Sequence, residues 1–329
     1  MQGLTSSKTP RAASKAIILM AVGMTLLLAV HLCYSYPSLG NWKIPTAPVK
    51  ETSTTPNTTE QTTTRPPIEE DLPCKNLKGG EDVLVVMRTG ATEIKDKLPV
   101  HLDTTFKCYN DYIIFSDYEE EFQGHQVHDV LSDVDDDFKH GHPDFELWRR
   151  LRAHGRESLD ESELSGAVSR ESGGTGKVEN EGWRLDKWKF LPMAARTLAL
   201  HPDKKWYVFV EPDTYLMWSN LLDWLRRLDP SEQLYYGSEV QIDSDIFAHG
   251  GSSFVISNPA LKRVAQLYKE NSDDWHALTS VHWAGDCILG KALFESGTPL
   301  TWGWPMFQGG NPNTSESARI SKRKKPRKK

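Results

Sequence analysis

Hydrophobic positions are spread unevenly along the chain, and their spacing changes character from one stretch to the next. Ala16 to Tyr34 is apolar almost throughout, interrupted only by Thr25 and His31. A run of that length at helical rise just spans the hydrocarbon core of a bilayer. Residues 1–15 carry Lys8, Arg11 and Lys15 and no acid, so the positive flank is N-terminal. That bias predicts a cytoplasmic tail over 1–15, a transmembrane signal-anchor over 16–34 and a lumenal remainder. A cleaved signal peptide is the competing reading, but its apolar core is usually shorter and no small-x-small site follows here. Cys33, at the membrane edge, is a candidate for lipidation or for cross-linking a homodimer, and the plainer reading is that it does neither.

Large apolar residues then almost vanish. Residues 35–80, above all Pro45 to Pro73, are rich in Thr and Pro. Such a segment buries too little surface to offset its chain entropy and reads as an extended stem. Asn57-Thr58-Thr59 is an N-glycosylation sequon, usable only on the lumenal side, in agreement with the orientation. Apolar runs return at Val83-Leu84-Val85-Val86-Met87, a buried strand ending at Arg88-Thr89-Gly90. A helix is predicted to about Phe106, and Tyr112-Ile113-Ile114-Phe115 is a second strand, ending at Ser116-Asp117. Two strands separated by a helix predict a βαβ unit, hence a parallel sheet with a right-handed crossover. Cys74 and Cys108 bracket this unit. In an oxidising lumen they are expected to pair, closing a loop worth about 3–4 kcal/mol; the alternative is two thiols that never meet.

Between Gln126 and Asp144 His and Asp residues crowd together. No buried strand is expected before Asp135-Asp136-Asp137, which read as a solvated turn or helix start rather than a metal motif. Residues 156–181 are polar and Ser/Gly/Glu-rich and read as a mobile surface loop. Trp183, Leu185, Trp188, Leu191 and Ala195 then follow an approximate helical stripe towards Leu200, core by default. Lys187, at its edge, either snorkels or reaches a phosphate. Trp206-Tyr207-Val208-Phe209-Val210 is an unbroken β-prone run, the pattern of a strand buried on both faces. Ser219 is expected to cap a helix from Asn220 to Leu228, followed by a strand at Leu234-Tyr235-Tyr236-Gly237. His249-Gly250-Gly251 runs into a strand through Ser257, and Asn258-Pro259 starts a helix with an apolar stripe to Glu270. An aromatic ridge, Trp302-Gly303-Trp304-Pro305-Met306-Phe307, precedes a basic polar tail over 309–329.

The length of 329 residues leaves room for one large domain or two small ones. The net charge of -6 understates how acidic the body is, because eight of the 39 basic residues lie between Arg319 and Lys329. An acidic body argues against nucleic acid as a partner. The four cysteines form no C-x-x-C pair, so neither a zinc cage nor a thioredoxin-like motif is indicated. Candidate chemistry gathers instead at Glu211-Pro212-Asp213, at the carboxyl end of the strand 206–210, where open α/β sheets bind ligands. Two acids on a backbone bent by Pro212 suit Mg²⁺ or Mn²⁺ already holding a phosphate; the bland reading is a polar turn with Asp213 as a helix cap. Gly250 and Gly251 suit close backbone approach to a ligand, and are weak as a phosphate loop because a strand follows. In Trp283-Ala284-Gly285-Asp286-Cys287-Ile288-Leu289-Gly290, Asp286 is either a helix cap or a catalytic carboxylate meeting an acceptor hydroxyl. Trp283 and Trp304 present flat apolar faces that suit sugar rings, with core packing equally open.

An anchor, a Thr/Pro stem, W-Y-V-F-V-E-P-D-T-Y, H-G-G-S-S-F-V-I-S and G-D-C-I-L-G occur here in one order. In that order, over roughly Glu81 to Phe307, the chain resembles the fringe-like, core 1 β1,3-galactosyltransferase-type enzymes of glycosyltransferase family 31. The resemblance implies a GT-A fold, a mostly parallel α/β sheet flanked by helices over 81–308, in a single-pass Golgi or ER membrane protein with its domain in the lumen. It implies a UDP-sugar donor, a glycoprotein or glycan acceptor, Mn²⁺ (or Mg²⁺) and inversion at the anomeric carbon. Residue by residue it implies Asp213 as direct metal ligand and Glu211 at the ribose or a metal-bound water. Arg88, Thr89 and Asp117 fall in its nucleotide pocket, Gly250 and Gly251 near donor sugar and acceptor, and Asp286 at its catalytic base. The pattern departs from the family in having Pro212 between the acids and, from Gly309, a basic tail in place of a Cys- and His-bearing portion with a metal-ligating histidine. His249, His276 and His282 remain, none of them where that histidine should be. Two functions therefore stand open: transfer of galactose to the 3-hydroxyl of an acceptor GalNAc, or an impaired relative acting as a lumenal chaperone or glycan-binding protein.

Overall fold

The structure, a computed structural model, describes residues 72–165 and 181–309. Ten strands run in chain order: β1 (Val83–Arg88), β2 (Asp111–Ser116), β3 (Glu120–Phe122), β4 (His125–Asp129), β5 (Trp206–Val210), β6 (Tyr235–Gly237), β7 (Glu239–Ile242), β8 (Asp245–Ala248), β9 (Phe254–Ser257) and β10 (Thr301–Trp302). Eight of them form one sheet in the order β10-β6-β9-β5-β1-β2-β4-β3. β1 pairs parallel with β5 and β2, and β2 parallel with β4, so the centre is the parallel sheet expected from the first βαβ unit. β9 inserts antiparallel between β5 and β6, and β3 lies antiparallel on the far edge.

The alternation of side chains along β1 divides the core in two. Leu84 and Val86 join Tyr207 and Phe209 on one face, with Leu191 and Met193 of the helix Phe190–Leu200, Val264 of Asn258–Glu270 and Leu289 of Gly285–Glu295. Val83, Val85 and Met87 join Val208 and Val210 on the other, with Ile94, Leu98 and Leu102 of two short helices and Leu222 of Trp218–Leu225. Helices thus cover both faces of a mixed, mostly parallel sheet. That is why β1 and β5 read as unbroken apolar runs rather than alternating ones. The layering has a functional consequence. The carboxyl ends of β1, β2 and β5 share one edge, and the antiparallel β9 brings its amino end, with the glycine pair before it, to that same edge.

Several local expectations are corrected. Ser219 lies inside the helix Trp218–Leu225, whose N-cap is Met217 and has no side-chain cap bond. A strand, β4, does precede the Asp135 cluster; its Val127 and Asp129 are buried, and two central polar positions masked the alternation. Asp135 itself caps the helix Asp136–Gly141 by accepting from Asp137 N. Trp183 is 43% exposed rather than core, because the helix Glu181–Asp186 buries Leu185 and turns Trp183 outwards. The hairpin β7–β8 and the helix Ser272–Val281 escaped the pattern, the hairpin because its strands are four residues each and half exposed.

Over 156–165, read as part of a mobile loop, the chain makes short 3₁₀ turns tied by Arg156 to Glu120 and by Arg150 to Glu163. Residues 72–80, assigned to the stem, are held to the domain by the disulfide Cys74–Cys108 and by Lys75 Nζ donating to Tyr109 O at 3.1 Å. No helix of the described residues is long and apolar enough to cross a membrane. The expected anchor over 16–34, Asn57, residues 166–180 and the basic tail from 310 lie outside the described residues.

Candidate functional site

At the shared strand edge the chain builds a cleft of about 1090 Å³. Arg88, Glu211, Asp213, Gly251, Trp283 and Asp286 all line it, bringing together residues up to 198 positions apart in sequence. A volume near the upper end of the usual ligand-pocket range suits an elongated ligand or two ligands side by side.

One wall is a chain of alternating charges. Arg88 ends β1, is almost wholly buried, lies over the Phe190 ring at 4.1 Å, and pairs with both Asp186 and Glu211. Asp186 also meets Lys189 at 3.5 Å, one helical turn on. Lys189 is 1% exposed and binds Asp117 Oδ2 at 2.8 Å and Thr89 O at 2.8 Å. Asp117 Oδ1 in turn accepts from Ala91 N at 2.8 Å. One buried ammonium thereby ties the end of β2 to the end of β1 and, through Asp186 and Arg88, to the end of β5. Burial alone would lower Lys189, but Asp117 and Asp186 outweigh it and raise it. Burial likewise opposes the charge of Arg88, and Asp186 and Glu211 overcome that. Glu211 is the member left in tension: burial, helped by Asp186 and Asp213, pushes its carboxyl up to about 7 against the pull of Arg88.

The turn after β5 is fixed from both sides. Pro212 O accepts from His101 Nε2 at 2.9 Å, so His101 is the Nε2–H tautomer, with Nδ1 towards Thr105 Oγ1 at 2.9 Å. Thr214 Oγ1 donates to Gly251 O at 2.8 Å, clamping the acidic turn to the glycine pair. Asp213 remains 46% exposed and pairs with Lys97 at 3.0 Å.

The rest of the lining near the acids comes from the turn before β9 and the helix Gly285–Glu295. Asp286 sits in the first turn of that helix but is not its cap, which is Ala284. Its Oδ2 accepts from Gly250 N at 2.9 Å and its Oδ1 from Cys287 N at 2.9 Å, which fixes its rotamer with each oxygen keeping a free lone pair. Close approach explains two glycines here. A Cβ on Gly285 would stand 2.6 Å from Lys187 O, and one on Gly250 would crowd Phe190 at 3.2 Å and Glu211 at 3.3 Å. Trp283 is 61% exposed and stacks on His282, with ring centroids 6.3 Å apart.

Not every expected residue reaches the cleft. Thr89 and Asp117 lie buried behind its wall and act on it through Lys189. Gly250 meets it through its backbone N–H. Trp304 is exposed but does not line it, and lies beside Trp302 at the β10 edge. Lys187, weighed as a phosphate ligand, is committed to Asp144 at 2.8 Å. Lys97, Asp186, Lys189, Trp183 and His249 also line the cleft, though the sequence pattern assigned none of them to it; His249 Nδ1 lies 2.6 Å from Ser252 Oγ. A signal existed for one of them: Lys189 falls between Trp188 and Phe190 on an apolar helix, where a lysine must find a partner.

Among the described residues no three His, Cys, Asp or Glu side chains come together as a cation cage. The donor set at Glu211 and Asp213 still fits a hard divalent ion that brings phosphate oxygens and water, since such an ion takes only one or two protein carboxylates.

The Fringe-like family model matches residues 189–302, about a third of the chain. The match takes in Lys189, the two acids, the glycine pair and Asp286, and leaves Arg88, Thr89 and Asp117 outside it. This part of the chain is similar to fringe-like proteins, which supports a glycosyltransferase.

Proposed function

We propose that the chain is an inverting, metal-dependent hexosyltransferase of GT-A fold. Its donor is UDP-galactose, and its acceptor is the 3-hydroxyl of a GalNAc on a glycoprotein. It works on the lumenal side of a Golgi or ER membrane, held there by the segment 16–34. The observation that carries the reading is the gathering of three carboxylates on one cleft: Glu211 and Asp213 at the sheet edge, and Asp286 from the helix Gly285–Glu295, joined to them through Gly250. The Fringe-like match over all three supports it.

Asp213, with Glu211 beside it, would hold Mn²⁺ or Mg²⁺; when bound, such an ion neutralises the diphosphate of the leaving UDP. The chain's own residues do the rest. Arg88 fixes Glu211, and the His101 and Thr214 bonds fix the turn that carries Asp213, so the acids are positioned before ligand arrives. Trp283 offers its ring to the apolar face of the acceptor sugar. Asp286 takes the proton from the acceptor hydroxyl as that oxygen bonds to the anomeric carbon. The bond from that carbon to the UDP oxygen breaks on the opposite face, and its electron pair leaves with UDP. One displacement gives one inversion, with no covalent enzyme intermediate.

A second reading, a non-catalytic glycan-binding or chaperone relative, draws on one observation: both acids already hold a protein cation, Arg88 on Glu211 and Lys97 on Asp213. A donor screen separates the two. The lumenal domain is offered UDP-galactose, UDP-N-acetylglucosamine and UDP-GalNAc, with Mn²⁺ or with chelator, and release of UDP and transfer to a GalNAc glycoside are followed. Transfer from UDP-galactose that needs the cation supports the enzyme; glycoside binding with no turnover of any donor supports the alternative.

A further inference from the structure

The proposed donor site leaves one cleft cation without a role. Lys97 ends the short helix Ile94–Lys97 that follows the β1 loop, and its side chain is 15% exposed. Its Nζ lies 2.9 Å from Glu93 Oε2 and 3.0 Å from Asp213 Oδ2, so it bridges the loop after β1 and the turn after β5. Burial would lower its basicity, but Glu93 and Asp213 outweigh that and raise it, so it carries its charge at any physiological pH.

The two partners differ in a way that gives the pair a direction. Glu93 belongs to the same helical turn as Lys97 and also meets Thr89 Oγ1 at 3.4 Å, so it stays with the lysine wherever the lysine goes. Asp213 belongs to another element and is 46% exposed towards the cleft, so it is the partner that can be taken away. A cation entering at Asp213 would compete with the ammonium for the carboxylate and would repel it. The released ammonium would then lie beside the anion that the cation carries. A lysine is a flexible point charge and suits phosphate oxygens as well as a carboxylate.

We propose that Lys97 is an exchangeable counter-ion: it holds Asp213 in the ligand-free protein and moves to the diphosphate of a nucleoside-diphosphate donor when a divalent cation takes Asp213. The inference rests on the reading of this cleft as a donor site. It assigns Lys97 two opposed effects, weakening the binding of the bare cation and strengthening that of the diphosphate. A lysine that only braces the fold would not give effects of opposite sign.

The test is calorimetric titration of the lumenal domain with Mn²⁺ alone and then with UDP at saturating Mn²⁺, neither of which depends on turnover. Lys97→Met should bind Mn²⁺ about threefold to fivefold more tightly, the size expected from freeing a partly exposed ion pair. It should bind UDP about tenfold more weakly, the loss of one charge-assisted contact. Lys97→Arg should recover most of the UDP affinity. Lys95→Met, an exposed neighbour with the same change of charge and no contact to Asp213, should move neither constant, which separates pairing from a general change of field. Melting curves establish that all three variants fold. Affinities for Mn²⁺ and UDP that are both unchanged in Lys97→Met, or that both fall, overturn the inference while leaving the donor site standing. Failure of the unaltered protein to bind Mn²⁺ or UDP overturns the donor-site reading, and the inference with it.

Discussion

The two walls of the cleft are built on different principles. The sheet-edge side is a chain of ion pairs, Asp117–Lys189–Asp186–Arg88–Glu211, buried at its Asp117, Lys189 and Arg88 members and partly exposed at Asp186 and Glu211. The helix wall holds one carboxylate on two backbone N–H groups, beside exposed tryptophan faces, with no side-chain ion pair to Asp286 among the described residues. Charges that hold one another keep the ends of β1, β2 and β5 fixed before any ligand arrives. The first side is rigid because each charge is held by another, whereas the second leaves Asp286 and the Trp283 ring open to the cleft.

That contrast can be broken at either wall. The largest effects should come from Asp286 and Asp213, which line the same cleft. Asp286→Asn is expected to lower kcat by about 10²–10⁴-fold with UDP affinity unchanged, because it removes the proton acceptor alone. Asp213→Asn should lower transfer by at least about a hundredfold and take Mn²⁺ dependence with it. Steady-state rates with UDP titrations separate these two losses.

Next in size is the chain of ion pairs itself. Lys189→Met leaves the buried Asp117 without its cation and should cost about 3–5 kcal/mol of stability, read as a lower melting temperature. Trp283→Ala on the other wall should raise the acceptor KM about fivefold, near 1 kcal/mol, while the donor KM stays put. A last effect, read as a pH dependence of stability rather than as a rate, concerns Glu211. Its carboxyl is raised to about 7, so the folded protein holds that proton more tightly than the unfolded chain does. The associated stability is full below the ordinary carboxylate value of about 4.3 and is lost as pH rises through about 7. The melting temperature of the ligand-free protein, measured against Glu211→Gln, should therefore fall between about pH 5 and pH 8.

The same contrast explains how much could be read before the structure. β1, β2 and β5 are buried on both faces, and such strands announce themselves as unbroken apolar runs. Their carboxyl ends located Glu211 and Asp213, and the antiparallel β9 placed the glycine pair beside them. What stayed hidden is what sequence distance conceals. Lys189 lies 100 positions from Thr89, and Lys97 lies 116 from Asp213; no local pattern records such a pairing. Trp183 was misplaced for a different reason, since a helical stripe gives the phase of a helix but not where its first turn leaves the core. Asp117, expected in the nucleotide pocket, is buried behind the cleft and reaches it through Lys189.

Equilibrium binding of UDP decides whether Glu211 and Asp213 hold a divalent cation together with a sugar nucleotide's diphosphate. UDP is expected to bind the unaltered domain only when Mn²⁺ or Mg²⁺ is present, and Asp213→Asn to remove this binding without lowering the melting temperature. UDP binding of equal strength with chelator, or equal strength in Asp213→Asn, would contradict it.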